Sequence, residues 1–368
     1  MATIGDVTEA LDQMAPSGLA EEWDNVGLLL GDPEAPCERA AVSLEPTRSV
    51  LDRAADAEAQ LLVTHHPLIF RPLSRVTAAE AGGALLLEAA RRSVALAAAH
   101  TNLDVAPGGV NDVLAELLEL RKVEPLAASV ASVPAKVVVF TPACDLDAVL
   151  EALRESGAGV IGQYQECTFR TPGIGTFRPL AGAEPTIGEV GRREEVEELR
   201  VEAVLPRSRV RQVTDAVRAA HSYEEPAIDV YELEPGKPSL GLGRAGDLPR
   251  PAPARRVVDR IKRALGVQRV RVVGDLRRRV ERVGVVGGSG GDYVAHAIRR
   301  GCQLYLTGDV SHHQALEAAE EGLVVVDAGH AATEAPAMPV LARRLGERCP
   351  DVAFTVIPTP ARGPFRIL

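Results

Sequence analysis

The sequence predicts an α/β protein: a layered core with a mainly parallel sheet, interrupted by a ferredoxin-like α+β insert. Three observations carry this. Short apolar runs alternate with amphipathic segments in both outer parts of the chain, as successive βαβ units require. Two stretches dense in Gly, Pro, Ser and Ala, Pro125 to Lys136 and Glu234 to Pro253, read as hinges. Between them the element order is β-α-β-β-α-β, the split βαβ arrangement. Residues 1–130 are therefore expected to form the first part of the core, 131–235 the insert, and 236–368 the second part.

In the first segment, Ala40 to Leu44, Leu61 to Thr64 and Val94 to Ala99 read as strands, and Arg48 to Ala59, Ala84 to Arg92 and Val110 to Leu118 as helices. The insert reads as a strand over 136–142, a helix over 145–157, a strand over 160–171, a turn at GIGTF, a strand over 196–206, a helix over 208–221 and a strand over 224–233. After Pro253 come helices from Ala254 to Leu265, Tyr293 to Arg300, Ser311 to Glu321 and Ala332 to Leu345. Strands alternate with them at Val280 to Val286, Gln303 to Leu306 and Leu323 to Val326. The two outer segments are expected to share one sheet.

Composition narrows the function. The 368 residues carry a net charge of −10 and 46% hydrophobic residues, with one Trp, five Tyr and six Phe. That leaves neither an overall basic footprint nor an aromatic platform for nucleic acid. The Arg277 to Arg279 run reads as a solvated face. The five cysteines are far apart, odd in number and without a C-x-x-C pair, so they are expected to be small core residues in a reducing compartment. An acidic N-terminus and the lack of an 18-residue apolar run lead to the expectation of a cytoplasmic protein.

Four of the eight histidines, His65, His66, His100 and His330, fall just after a predicted strand or at the start of the helix that follows. LLVT leads into His65 and His66, ALAAA into His100 and Asp104, and LVVVDAG into His330 and Glu334. In open parallel sheets ligands bind beyond the carboxyl ends of the strands, so these groups can converge from distant parts of the chain. Three imidazoles and two carboxylates (His65, His66, Asp104, His330 and Glu334) suit a catalytic divalent metal. A helix beginning at His330 would put Glu334 on the same face. Adjacent His65 and His66 point in different directions, which suggests two ions bridged by a carboxylate. Without a thiolate among the donors, zinc, manganese, iron or cobalt is expected rather than a closed structural zinc or an iron–sulfur cluster. A lone His after a strand is more often a cap; five metal-capable groups at three strand ends make the joint reading the stronger one. A further cluster, Thr307, Gly308 and Asp309 with His312 and His313, admits two readings for Asp309, a helix cap or a residue orienting a ligand.

The run Gly287 to Gly291 satisfies G-x-S-x-G, and Ser289, followed by Asp309 or Asp327 and His330, has the chain order of an α/β-hydrolase triad. That reading leaves His65, His66 and Asp104 without a role. A glycine loop that lets backbone approach a ligand explains the run better. The same run fails G-x-G-x-x-G because Tyr293 stands at the third glycine position, and Gly236-Lys237 is followed by Pro238, so no P-loop is present.

EEWDNVGLLLGDP, THHPLIF, AHTNLDVAPGGVND, GGSGG, YLTGD followed by His313, and DAGHAATE together resemble the dinuclear-metal-centre, Nif-three-like proteins known as GTP cyclohydrolase type 2 homologues. The similarity runs over nearly the whole chain. It implies a toroidal homohexamer and two divalent ions per chain, with His66 and Asp104 on one ion, His65 and His330 on the other, and Glu334 bridging. It also implies that the insert is similar to PII and CutA proteins. Glu45 stands where the family usually has Asp, Ala331 where a Tyr normally follows the His, and Ser222 where the insert usually has Pro. The expected function is metal-dependent hydrolysis of a small molecule by a metal-bridging hydroxide, with His100 or His313 moving protons. The rival expectation is a metal-binding regulator or scaffold whose insert senses a small molecule.

Overall fold

Strands built from consecutive small and branched apolar residues must bury both faces, and such runs form the centres of two sheets. In the computed structural model, which describes residues 2–128, 134–234, 240–360 and 363–364, the chain divides into two units. One is Met1–Ser129 with Ser239–Leu368, and the other is Val130–Pro238.

The first sheet of the larger unit runs in the order Gly27–Leu30, Ala95–Ala98, Leu61–Thr64, Arg39–Ser43, Ala353–Val356. All its ladders are parallel except the one made by Gly27–Leu30. Leu61–Thr64 and Ala95–Ala98 are buried throughout. Helices Arg48–Asp56 and Ala81–Arg91 cover one face, packing Val50, Leu51, Leu86 and Ala89 against Ala41, Leu62 and Leu96. The second sheet has the order Arg271–Val273, Val324–Asp327, Leu304–Gly308, Arg279–Ser289, Gly241–Pro253, Arg121–Ala128. Only its middle ladders are parallel. Helix Ala254–Ala264 lays Val257, Val258 and Ile261 on Val280, Val283, Val285 and Leu304.

Three expectations are corrected here. The outer segments form two sheets, not one, and each sheet takes a strand from the other segment: Ala353–Val356 joins the first and Arg121–Ala128 the second. The second sheet is mixed rather than mainly parallel, with three antiparallel ladders. The supposed hinges are largely strand, since Arg121–Ala128 and Gly241–Pro253 pair with each other in register Ala128↔Gly241; residues 129–133 and 235–239 lie outside the described residues.

In the smaller unit, Pro134–Thr141, Thr168–Phe177, Glu194–Pro206 and Ile228–Glu232 make an antiparallel sheet in which the second strand is followed by the third, first and fourth. Helices Leu146–Glu155 and Val210–Ala220 complete the β-α-β-β-α-β order and bury Val149, Leu153, Val213 and Val217 against Val137, Val139 and Val201. The second strand starts at Thr168 rather than 160, and GIGTF is strand, not turn. It is an edge strand held by a single neighbour and mostly exposed, so its sequence lacks the alternation of a half-buried strand.

Cys37, Cys302 and Cys349 are buried as expected, whereas Cys144 is exposed. Burial pushes the Cys302 thiol up to about 12. Among the described residues no helix is long and apolar enough to cross a membrane.

Because Ala128 and Gly241 face each other across a ladder, a short turn can join them without displacing either strand. A chain with residues 129–240 replaced by a two-residue turn is expected to stay folded and to bind metal as the full chain does. Circular dichroism and elemental analysis check this; an aggregated, metal-free product would show that the larger unit needs the smaller one to fold.

Candidate metal centre

Every residue of the cluster follows a strand or lies in the short helix after one. His65 and His66 extend the Leu61–Thr64 strand, their amides donating to Ser43 O at 3.2 Å and Leu44 O at 3.0 Å. Asp104 lies on the short helix Thr101–Val105, beyond Ala95–Ala98. His330 and Glu334 share the one-turn helix His330–Glu334, beyond Val324–Asp327. The carboxyl ends of parallel strands from both sheets of the larger unit thus contribute to one point, as open α/β sheets allow.

The five expected ligands meet there. Glu334 is its centre. One carboxylate oxygen, Oε1, lies 3.6 Å from His65 Nε2. The other, Oε2, lies 3.2 Å from His66 Nε2 and 3.1 Å from His330 Nε2. Asp104 Oδ1 is 3.8 Å from His65 Nε2, and the Nε2 atoms of His66 and His330 are 3.3 Å apart. These neighbours differ from the pairing implied by the family resemblance: Asp104 sits beside His65, and His330 beside His66. One ring nitrogen from each of His65, His66 and His100 also lies within 4.8 Å of the others.

The far side of each ring is tied down. His65 Nδ1 donates to Ala99 O at 2.8 Å, which leaves Nε2 as the free lone pair. His66 Nδ1 lies 3.0 Å from Glu45 Oε1, and His330 Nδ1 lies 2.7 Å from Asp309 Oδ2. His100 Nδ1 is 2.8 Å from the Asp24 carboxylate. Such outer partners fix tautomer and ring direction at metal sites. Asp309 therefore orients a candidate ligand, and it does so from a left-handed backbone position, φ +52°.

The donor set fits a cation. Buried polar atoms normally find partners, yet His65 Nε2, Asp104 Oδ1 and Glu334 Oε2 are buried with no hydrogen-bond partner that satisfies them. Three of the six such atoms among the described residues thus gather in this one cluster. The electrostatics point the same way. Burial would pull His66 down, but Glu334 and Glu45 outweigh it and hold the ring up at about 10. Glu334 and Asp309 hold His330 up at about 9 against burial. Burial would raise Glu334, yet the three imidazoles keep it well below the usual carboxylate range. Burial pushes Asp104 up to about 7. The pocket calls for positive charge, which protons supply when a metal does not.

The glycine loop backs this cluster. A Cβ on Gly288, where φ is +65°, would fall on Glu334 Oε1 and approach His330 Nε2 to 3.1 Å. Gly287 N donates to Asn111 Oδ1 and Gly288 N to Thr333 Oγ1, both at 2.9 Å. Ser289 is exposed, and no hydrogen bond joins it to His330 among the described residues.

The sequence profile of Duf34/NIF3 (NGG1p interacting factor 3) matches residues 2–362. The chain belongs to the Duf34/NIF3 family. It is 41% identical to a Bacillus subtilis protein named GTP cyclohydrolase 1 type 2 homolog, over 95% of this chain and 94% of that one. A Halalkalibacterium halodurans protein of the same name is also 41% identical, over 88% and 87%. The crystal structure of a Bacillus cereus protein related to NIF3 superposes with a TM-score of 0.76 at 37% identity, covering 100% of this chain and 99% of that one.

Two placements in this Duf34/NIF3 chain depart from the sequence reading. His313 is exposed at the start of helix His312–Glu320, its ring against His312 (centroids 5.6 Å apart) rather than against the cluster. A capping box between Ser311 and Gln314 fixes that helix start. Sequence reasoning also missed Asp24, which lies in no strand–helix junction. Its only signal was its place in the EEWDNVG motif.

Proposed function

We propose that this Duf34/NIF3 protein is a metal-dependent hydrolase holding two divalent ions per chain (zinc, manganese, iron or cobalt) on His65, His66, Asp104, His330 and Glu334. The observation that supports it best is the convergence of three buried, unpartnered donor atoms, His65 Nε2, Asp104 Oδ1 and Glu334 Oε2. When bound, such ions supply Lewis-acid polarisation of the bond to be cleaved and make water acidic enough to act near neutral pH. The chain's own groups do the rest. Glu334 offers one oxygen to each side of the cluster. Ala99 O, Glu45 and Asp309 hold the three imidazoles in direction. His100, with Nδ1 on Asp24, can hold or move a proton at its other nitrogen beside the cluster. The relatives' names suit attack on a purine ring, and phosphoester or amide hydrolysis fits the same donors.

The test is a panel of nucleotides and phosphoesters with protein reconstituted in each of the four metals. Turnover should vanish on chelation and return with one added ion; turnover that survives chelation would overturn the reading. The smaller unit, with its split β-α-β-β-α-β order, is proposed to be PII/CutA-like and the assembly a toroidal homohexamer in the cytoplasm. Sedimentation equilibrium should then return six chain masses. The rival is the regulator reading, in which the smaller unit senses a small molecule at its surface. Nucleotide binding by this protein without turnover in any metal would favour that reading over the hydrolase.

A further inference from the structure

Twelve aromatic residues in 368 leave few to expose, yet the single Trp stands in the open beside the cluster. Trp23 is 58% exposed and Phe70 41%. Their ring centroids are 5.6 Å apart, with the planes at 56°. Both rings meet His100 edge-on, at 6.2 Å and near right angles. His100 in turn lies 5.2 Å from the His65 ring and 5.4 Å from the His66 ring. An unbroken chain of rings therefore leads from the exposed corner to the candidate ligands.

The corner is held in place. The side chain of Asp24, next to Trp23, is fully buried and accepts from His100 Nδ1 at 2.8 Å, Thr101 N at 3.0 Å and Thr101 Oγ1 at 2.5 Å. Asn25 Nδ2 donates to Ile69 O at 2.5 Å, tying the backbone before Phe70 to the same segment. Two adjoining apolar rings held at the surface by a pinned backbone keep a face that another flat apolar group can cover.

We propose that Trp23 and Phe70 form a stacking platform for a planar heteroaromatic ring, so that the substrate class is ring-bearing, such as a nucleoside or nucleotide, with its reactive part directed past His100 to the cluster. That the ring belongs to a substrate rests on the hydrolase reading; the platform itself does not. Stacking on aromatic side chains tolerates any base because each has a π face.

Since Trp23 is the sole Trp, its emission reports this corner alone. Metal-loaded full-length protein should show saturable quenching by guanosine and adenosine, after inner-filter correction, and none by ribose 5-phosphate. Phe70→Ala, which keeps the reporter, should weaken guanosine binding about ten-fold. Equilibrium dialysis with labelled guanosine should find binding retained in Trp23→Phe and lost in Trp23→Ala. Unchanged emission at millimolar guanosine would overturn the proposal, as would equal quenching by ribose 5-phosphate. Emission that follows protein concentration alone would make the corner a contact between copies and overturn it as well. Quenching without hydrolysis would sink the proposed function and leave the platform standing. Hydrolysis of ring-free phosphoesters with Trp23 unquenched would do the reverse.

Discussion

Glu334→Gln is expected to empty the centre: elemental analysis of the reconstituted variant should fall from about two ions per chain to near zero. The change is isosteric, so packing around this buried side chain is preserved. What it removes is the charge, together with one of two equivalent oxygens. In the native chain, Oε1 faces His65 while Oε2 faces His66 and His330, so the single carboxylate serves both sides of the cluster. An amide offers one acceptor and turns an N–H₂ donor toward whichever side it does not serve. Outer partners of metal ligands cost 10–100-fold in affinity when removed, and a ligand shared by two ions should cost more than about 100-fold. Native circular dichroism with no bound metal is the expected pair of results. Loss of a single ion would remove the bridging role from Glu334, and full retention of both would remove Glu334 from the centre altogether.

How far such a site can be read from sequence depends on whether the signal is local. Leu61–Thr64 and Val324–Asp327 are buried on both faces and therefore written as unbroken apolar runs, so the histidines that end them stand out against the runs. The one-turn spacing of His330 and Glu334 puts them on one side of a helix whatever surrounds it. Gly241–Pro253 shows the opposite case. Gly241, Gly243, Gly246, Pro249, Pro251 and Pro253 make the local pattern that of a hinge, yet the segment is a strand because Arg121–Ala128 and Arg279–Ser289 flank it. Its prolines fall after the ladder with Arg121–Ala128 has ended at Asp247, where that side has no donor to satisfy. Glu45 and Asp24 were illegible for a similar reason. Each touches a ring far along the chain, Glu45 reaching His66 and Asp24 reaching His100, and neither sits in a periodic pattern that would mark it. The placement of His313 failed because "after a strand" does not say which way the first helical turn faces.

Adjacent positions of the glycine loop should give opposite results, and that contrast decides between the two chemistries the loop could serve. Gly288→Ala is expected to abolish metal binding. Its φ of +65° already costs a residue with a Cβ about 1–2 kcal/mol. The greater effect is steric, because the new methyl would occupy the place of Glu334 Oε1 and press on His330 Nε2 at 3.1 Å. Backbone cannot retreat readily, since Gly287 N and Gly288 N are both held by buried side-chain acceptors. Glu334 would have to turn away, and the metal would be lost with it. Ser289→Ala one residue on should leave metal content unchanged and most of any hydrolytic rate intact, because Ser289 is exposed and His330 is already committed, Nδ1 to Asp309 and Nε2 toward Glu334 and His66. A serine nucleophile needs that imidazole as its base. The two variants should therefore be measured side by side, for bound metal and for turnover with and without chelator. A Ser289→Ala protein that keeps its metal but loses all turnover would establish the nucleophile-elbow reading. A Gly288→Ala protein that still binds two ions would show that the loop does not back the centre.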